Sequence, residues 1–245
     1  MLPALLMTVR VDAWQNKANL PPSSDRFTGD AASHRRFLLL HGSGTTAEAF
    51  VNSESQLGAK SFLASIPPRR RDPIPWGYTA VDAGSDDGSW WKGDFTGLEK
   101  SIAAVEEAIV AEEGRIAGII GHEQGGLVAA LVLARAALGE GPCSLQFGVI
   151  CGAAMPDPDT EWAALLHRLC NVDKPSIPTL HCLSHSNTVY PPALGEELAA
   201  CFGTTAEVLW HAGGRAMPGK TWWKDSQGFP DRATGRSEYV AGMHG

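Results

Sequence analysis

Basic charge is scarce in this chain: 20 Lys and Arg stand against 27 Asp and Glu, for a net charge of -7 at pH 7. The electrostatic footprint of a nucleic-acid binder is therefore missing. The one basic run, Arg69 to Arg71, sits among prolines and reads as a solvated turn. No window approaches the ~20 apolar residues that a membrane span needs. The cysteines, five in number, have no CxxC spacing. Cys143, Cys151, Cys170, Cys182 and Cys201 fall mostly in apolar segments, so they read as buried thiols of a reducing compartment. Eight histidines show neither HxH nor HExxH spacing, and no metal site is expected. The glycine-rich stretches "HGSGTT" and "GHEQGG" lack a P-loop lysine and a full GxGxxG, so no nucleotide cofactor is expected either. The opening "MLPALLMTVR" has an apolar run too short for a signal-peptide core, which leaves the cytoplasm as the expected location.

What remains is enough for one α/β domain. A chain of 245 residues that is 44% apolar and 19% charged can bury a sizeable core. Residues 1–35 are turn-rich and polar over "NLPPSSDRFTGDAAS" and form an expected extension, either mobile or laid over the surface as a lid or dimer arm. Residues 36–245 form the expected domain. Apolar runs ending in glycine or polar turns alternate with helical stretches: "RFLLLHG", "WGYTAVDAG", "IAGIIGH", "LQFGVICGAA", "IPTLHCLSH" and "AEVLWHAGG" read as strands. Between them, Thr46 to Ser65, "GLEKSIAAVEEAIVAEEG", "GGLVAALVLARAAL", "DTEWAALLHRLC" and "PALGEELAACFG" read as helices. Continuous apolar strands alternating with helices predict a mostly parallel, doubly wound sheet covered on both faces. Ligands of such sheets sit beyond the carboxyl ends of the strands. The loops there are "HGSGTT", "DAGSDDGSWW", "GHEQGG", "SHSNTVYPP" and "HAGGRAMP".

With these loops in this order, the chain resembles the FSH family of serine hydrolases within the α/β-hydrolase superfamily, over Phe37 to Pro218. The resemblance implies an α/β-hydrolase fold with "IIGHEQGGLVAAL" at the nucleophile elbow. It also implies that three positions depart from the family's pattern. Glu123 stands where G-x-S-x-G has its serine, Asn187 where the acid belongs, and Arg215 where the histidine belongs.

Two readings of Glu123 follow. It is either half of an ion pair with Arg215 in a retired site, or a carboxylate recruited for chemistry as base or nucleophile. An alkyl ester formed on Glu123 would need a base to hydrolyse it, and unless His122, His185 or His211 serves, that route stalls. Direct acid/base opening of a strained neutral substrate, an epoxide, is therefore the expected reaction, with Glu123 and Asp82 as the proton-handling pair, His122 and Asp94 behind them, and Arg215 beside Glu123. Ser43 and Gln124 are expected to bind the developing oxyanion, and His122 and Asn187 to line the site. Trp90 and Trp91, with Phe95, Trp222 and Trp223, read either as pocket walls or as packing. Relatives of this family in fungal polyketide pathways include thioesterases and epoxide-opening cyclases of the aurovertin and citreoviridin kind. That resemblance implies an apolar, polyketide-like small-molecule substrate. The alternatives kept open are a noncatalytic binding protein and an esterase or thioesterase that uses Ser43 or another serine. The oligomeric state is left open, with a homodimer among the options.

Overall fold

The computed structural model describes residues 36–52, 77–142, 144–172 and 177–218, together with Phe229 and Ala233. In chain order the elements are β1 (Arg36–Leu40), α1 (Ala47–Asn52), β2 (Gly77–Val81), α2 (Leu98–Ala111), β3 (Ile116–His122) and α3 (Gln124–Ala137). Then come β4 (Phe147–Cys151), α4 (Glu161–Cys170), β5 (Thr179–Leu183), α5 (Pro192–Ala200) and β6 (Ala206–Trp210). The six strands form one parallel sheet in the order β2-β1-β3-β4-β5-β6. The expected extension over residues 1–35, the helix beyond Asn52, Cys143, Trp222 and Trp223 lie outside the described residues.

The sheet is two-sided because successive side chains of a strand point to opposite faces. Leu38, Leu40 and Ile119 face one way, into a core shared with α2, α3 and α4. Phe37, Leu39, Ile120, Phe147, Val149 and Leu180 face the other way, against Phe50 and Val51 of α1 and against Phe229. β1, β3, β4 and β5 are buried almost throughout, as a strand covered on both faces must be. β6 at the edge is different, with Val208 42% exposed.

α3 is apolar round its whole circumference, from Gly125 to Ala134, and every residue of that stretch is buried. A helix of that kind belongs in the middle of a core. It can come close to the sheet only because the residues at its start have no side chain. A Cβ on Gly121 would overlap the Gly125 carbonyl oxygen, and a Cβ on Gly125 would overlap the carbonyl oxygen of His41. The glycines of "GHEQGG" thus hold α3 against β1 and β3 and fix the turn between β3 and α3. The cysteines are buried where described except Cys170, which ends α4 and is exposed, because a helix terminus on this face reaches solvent.

Candidate active site

Glu123 is the single residue between β3 and α3. Its backbone takes φ 51° and ψ -114°, a conformation that a residue with a side chain adopts only under strain. The strain is held by hydrogen bonds from the Glu123 N–H to the Cys151 carbonyl at 2.8 Å and from the Leu127 N–H to the Glu123 carbonyl at 3.1 Å. A strained residue at this point, between a central strand and a buried helix, projects its side chain beyond the carboxyl edge of the sheet.

The Glu123 side chain is 2% exposed, and its Oε1 accepts a hydrogen bond from Arg215 Nε at 2.6 Å. Arg215 comes from the loop after β6 and is 46% exposed, so the pair has one buried end and one wet end. The carboxylate holds the guanidinium pKa above its ordinary value. The other oxygen, Oε2, faces the loop after β1: a Cβ on Gly42 would stand 2.8 Å from Glu123 Oε2 and 3.0 Å from His122 Nδ1. Gly42 is therefore required for the "HGSG" loop to pass over the carboxylate.

Buried imidazoles surround this pair. His122 Nε2 donates to the Arg215 carbonyl at 2.7 Å, and its ring stacks on Phe50 at 6.1 Å. Burial pushes the His122 pKa down, against the opposing pull of the Glu123 carboxylate and the Arg215 carbonyl. His41 Nε2 accepts from the Ala83 N–H at 3.2 Å, so its proton sits on Nδ1, which donates to the Gly42 carbonyl at 2.7 Å. Burial lowers the His41 pKa as well, and a neutral ring with its lone pair on Nε2 makes no ion pair with Asp82 Oδ1, 3.8 Å away. His211 is buried after β6, its pKa is lowered by burial and then by His122, and its Nδ1 accepts from the Gly213 N–H at 3.1 Å. Tyr190 from the β5–α5 loop feels the charge of the pair: burial first, and then the Glu123 charge, raise its phenol pKa. Sequence reasoning passed over Tyr190, and the available signal was its place in "SNTVYPP", three residues after the expected acid position at Asn187.

Of the residues expected in the site, Glu123 and Arg215 meet as anticipated, and several others have different tasks. Asp82 Oδ1 accepts from the Ala47 N–H at 2.6 Å and so caps α1. Aspartate at a strand end is well placed to satisfy an unpaired helix N–H. Asn187 is buried, and its Oδ1 accepts from the N–H groups of Val189 and Tyr190 at 3.1 Å each, which shapes its own loop. His122 supports the Arg215 loop from below. Gln124 Oε1 accepts from the Trp90 N–H at 2.9 Å and its Nε2 donates to the Trp91 carbonyl at 3.2 Å, so the side chain ties the aromatic loop to α3. Trp90 is 1% exposed, donates from Nε1 to the His41 carbonyl at 2.8 Å, and packs in the core beside the cavity between β2 and α2. Trp91 is half-buried and stacks on Phe95 at 5.9 Å. Ser43 lies partly exposed in the loop above Glu123. Asp94 is spent on its own turn, accepting from the Thr96 N–H at 3.0 Å, and His185 stacks on Trp210 at 3.9 Å. Among the described residues no group of His, Cys, Asp and Glu is arranged to hold a metal ion. Nor is any helix among them long and apolar enough to cross a membrane.

A parallel sheet with a strained residue between its third strand and a buried helix, roofed by a glycine loop from the first strand, defines an α/β-hydrolase. The family model "Serine hydrolase (FSH1)" matches residues 31–227, and the chain belongs to that family. It is 28% identical over 199 residues to Esterase CG5412 of Drosophila melanogaster, a match covering 75% of this chain and 68% of that one. Esterase OVCA2 of Homo sapiens is 28% identical over 162 residues, covering 66% and 68%. Among solved structures, the Bacillus cereus carboxylesterase superposes with a TM-score of 0.59 at 16% identity, covering 84% of this chain and 91% of that one. Zea mays acyl-protein thioesterase 2 superposes with a TM-score of 0.55 at 16% identity, covering 86% and 96%. At these identities the two structures speak for the fold. The family and its esterase-named members point to a hydrolase of the esterase or thioesterase type.

Proposed function

We propose that this chain hydrolyses an acyl thioester or similarly activated ester, with Glu123 as general base in place of a nucleophilic serine. The observation that carries the reading is the Glu123 carboxylate at the strained turn, anchored through Oε1 by Arg215 with Oε2 turned towards the glycine loop. In this scheme Glu123 takes a proton from water as the water oxygen attacks the acyl carbon, and backbone N–H groups of the Ser43 loop and Gln124 receive the oxyanion. The intermediate then expels the leaving group, and the proton on Glu123 returns to it. Neutral histidines leave the site with one principal proton carrier. A thiolate, with a conjugate-acid pKa near 8.5, leaves without full prior protonation and suits such a site better than an alkoxide.

The names of the relatives favour an acyl substrate over the epoxide expected from the sequence. Epoxide opening would keep the same base but produce an alkoxide that demands an acid, while Asp82 Oδ1 already accepts from the Ala47 N–H. A second reading, a pseudoenzyme that keeps the fold for binding, draws support from the 2% exposure of Glu123 and its ion pair with Arg215. Hydrolysis of acyl thioesters by wild type and Glu123→Gln separates these. The variant keeps shape and loses the base, so kcat/KM should fall by about 10² to 10⁴. Equal rates in the two proteins would remove Glu123 from the chemistry. Absence of turnover on thioesters, esters and epoxides alike would select the binding reading.

A further inference from the structure

Two cysteines far apart in sequence meet where α4 and α5 end. α4 finishes on Cys170 and α5 is capped by Cys201, and from these ends the chain goes on to the starts of β5 and β6. Leu166 and Leu169 of α4 share an apolar cluster with Leu198, Cys201 and Phe202. Cys170 follows Leu166 by one helical turn and so stands on the same face, at its rim. There its thiol comes into hydrogen-bond contact with the Cys201 thiol.

The two thiols differ in access. Cys170 is exposed, whereas Cys201 is 2% exposed and donates to the Glu197 carbonyl at 3.5 Å. Burial first, and then the contact with Cys170, push the Cys201 thiol pKa up, so that thiol stays protonated and attacks slowly. A second pair shows what the first has in addition. Cys151 on β4 and Cys182 on β5 are register partners on neighbouring strands, but both are buried and neither meets a dissolved reagent. Only the α4–α5 pair, among the described residues, joins an exposed thiol to a buried one.

We infer that Cys170 and Cys201 form a reversible disulfide by thiol exchange with a small dissolved disulfide, for which oxidised glutathione is the probe. The Cys170 thiol gives up its proton and attacks one sulfur of the small disulfide, whose S–S bond breaks; the departing half takes up a proton and leaves as a thiol. Cys201 then gives up its own proton and attacks the Cys170 sulfur, and the second half leaves as a thiol in the same way. The protein pair loses two electrons and two protons, and the small disulfide gains both. In a reducing compartment the pair stays open, and it closes when the small-thiol pool is oxidised. The link closes a loop of about 30 residues around β5 and restricts the unfolded chain accordingly. It lies towards the starts of the strands, away from Glu123 at the carboxyl end of β3, so the inference stands apart from the hydrolase proposal.

The test is incubation of the reduced protein with oxidised glutathione, followed by alkylation, intact-protein mass spectrometry and peptide mapping. Wild type should first carry glutathione on Cys170, because Cys201 is the slow member, and then lose two hydrogens as the Cys170 and Cys201 peptides become joined. Dithiothreitol should reverse the change. Cys201→Ala should stop at the glutathione adduct, and Cys170→Ser, at an exposed position where folding is not in question, should leave Cys201 unlinked. The linked protein should unfold in urea with an equilibrium constant about 10² lower than the reduced protein. No joined peptide in wild type, a link from Cys201 to another cysteine, or a link between Cys151 and Cys182 in its place overturns the inference. So does a linked protein that unfolds as readily as the reduced one, because the thiols would then have to be pulled out of their native places to bond.

Discussion

The elbow and the slot between β2 and α2, a cavity walled by Ala104, Ala108 and Ala111 with Glu112 and Arg115 at its foot, handle buried polarity differently. Around Glu123, the described polar groups are matched within the chain: carboxylate to Arg215, His122 to the Arg215 carbonyl, Gln124 to the tryptophan loop, Trp90 to the His41 carbonyl. At the foot of the slot, Glu112 Oε2 lies 3.1 Å from Arg115 Nη2 in an ion pair without a hydrogen bond, and the nearby Arg36 Nε is buried without one. Full matching makes a rigid scaffold that places one carboxylate. Incomplete matching costs stability, because each buried polar atom without a hydrogen bond keeps the full loss of its hydration.

The largest effect should come from breaking the scaffold itself. Gly125→Ala puts a methyl group into the His41 carbonyl, so α3 must withdraw from β1, at a cost of about 3 kcal/mol in urea unfolding. A cost below about 1 kcal/mol would mean that the elbow is not held by close packing. Arg215→Met removes the partner of a carboxylate that is 2% exposed. The loss should be about 2 kcal/mol, less than for a fully buried pair because the guanidinium is half in water. Acid should then act through the buried histidines, His41 and His122 beside the elbow and His181 on β5, where it packs on Phe202. Burial pushes the pKa values of His41 and His122 down, and that of His181 down to about 3. Their folded-state values lie below the unfolded one, so the unfolded chain binds more protons below about pH 6.5. Stability is complete above that pH and declines as pH falls, by about 1 kcal/mol per pH unit for each such histidine. His181→Phe should flatten the slope of urea midpoints between pH 7 and pH 5 by that amount. The smallest effect belongs to the slot: Thr79→Val removes one donor to Glu112 Oε1 and should cost about 1 kcal/mol or less.

The sheet and its helices were legible because apolar runs and their periods report burial directly. β3 was expected over "IAGIIGH" and forms over Ile116–His122. The elbow was legible because glycines at 121 and 125 leave little room for another reading. Hydrogen-bond destinations were not. Asp82, Asn187 and Gln124 have the chemistry of site residues, but each spends it on a backbone N–H or carbonyl that only the tertiary fold brings close. Trp90 shows the same limit, since an indole in a loop becomes core only when a carbonyl such as that of His41 awaits its N–H. The slot left a faint trace, three alanines on one face of α2 with Glu112 after them, but its volume depends on how far β2 stands from the helix.

The central claim is that the elbow presents a carboxylate and that no serine in this chain is activated as a nucleophile. Treatment with a serine-directed fluorophosphonate, read by intact-protein mass spectrometry, tests it most directly. The account predicts an unmodified mass after exposure that labels a serine hydrolase fully. A stoichiometric adduct mapping to one serine, Ser43 or any other, would contradict it.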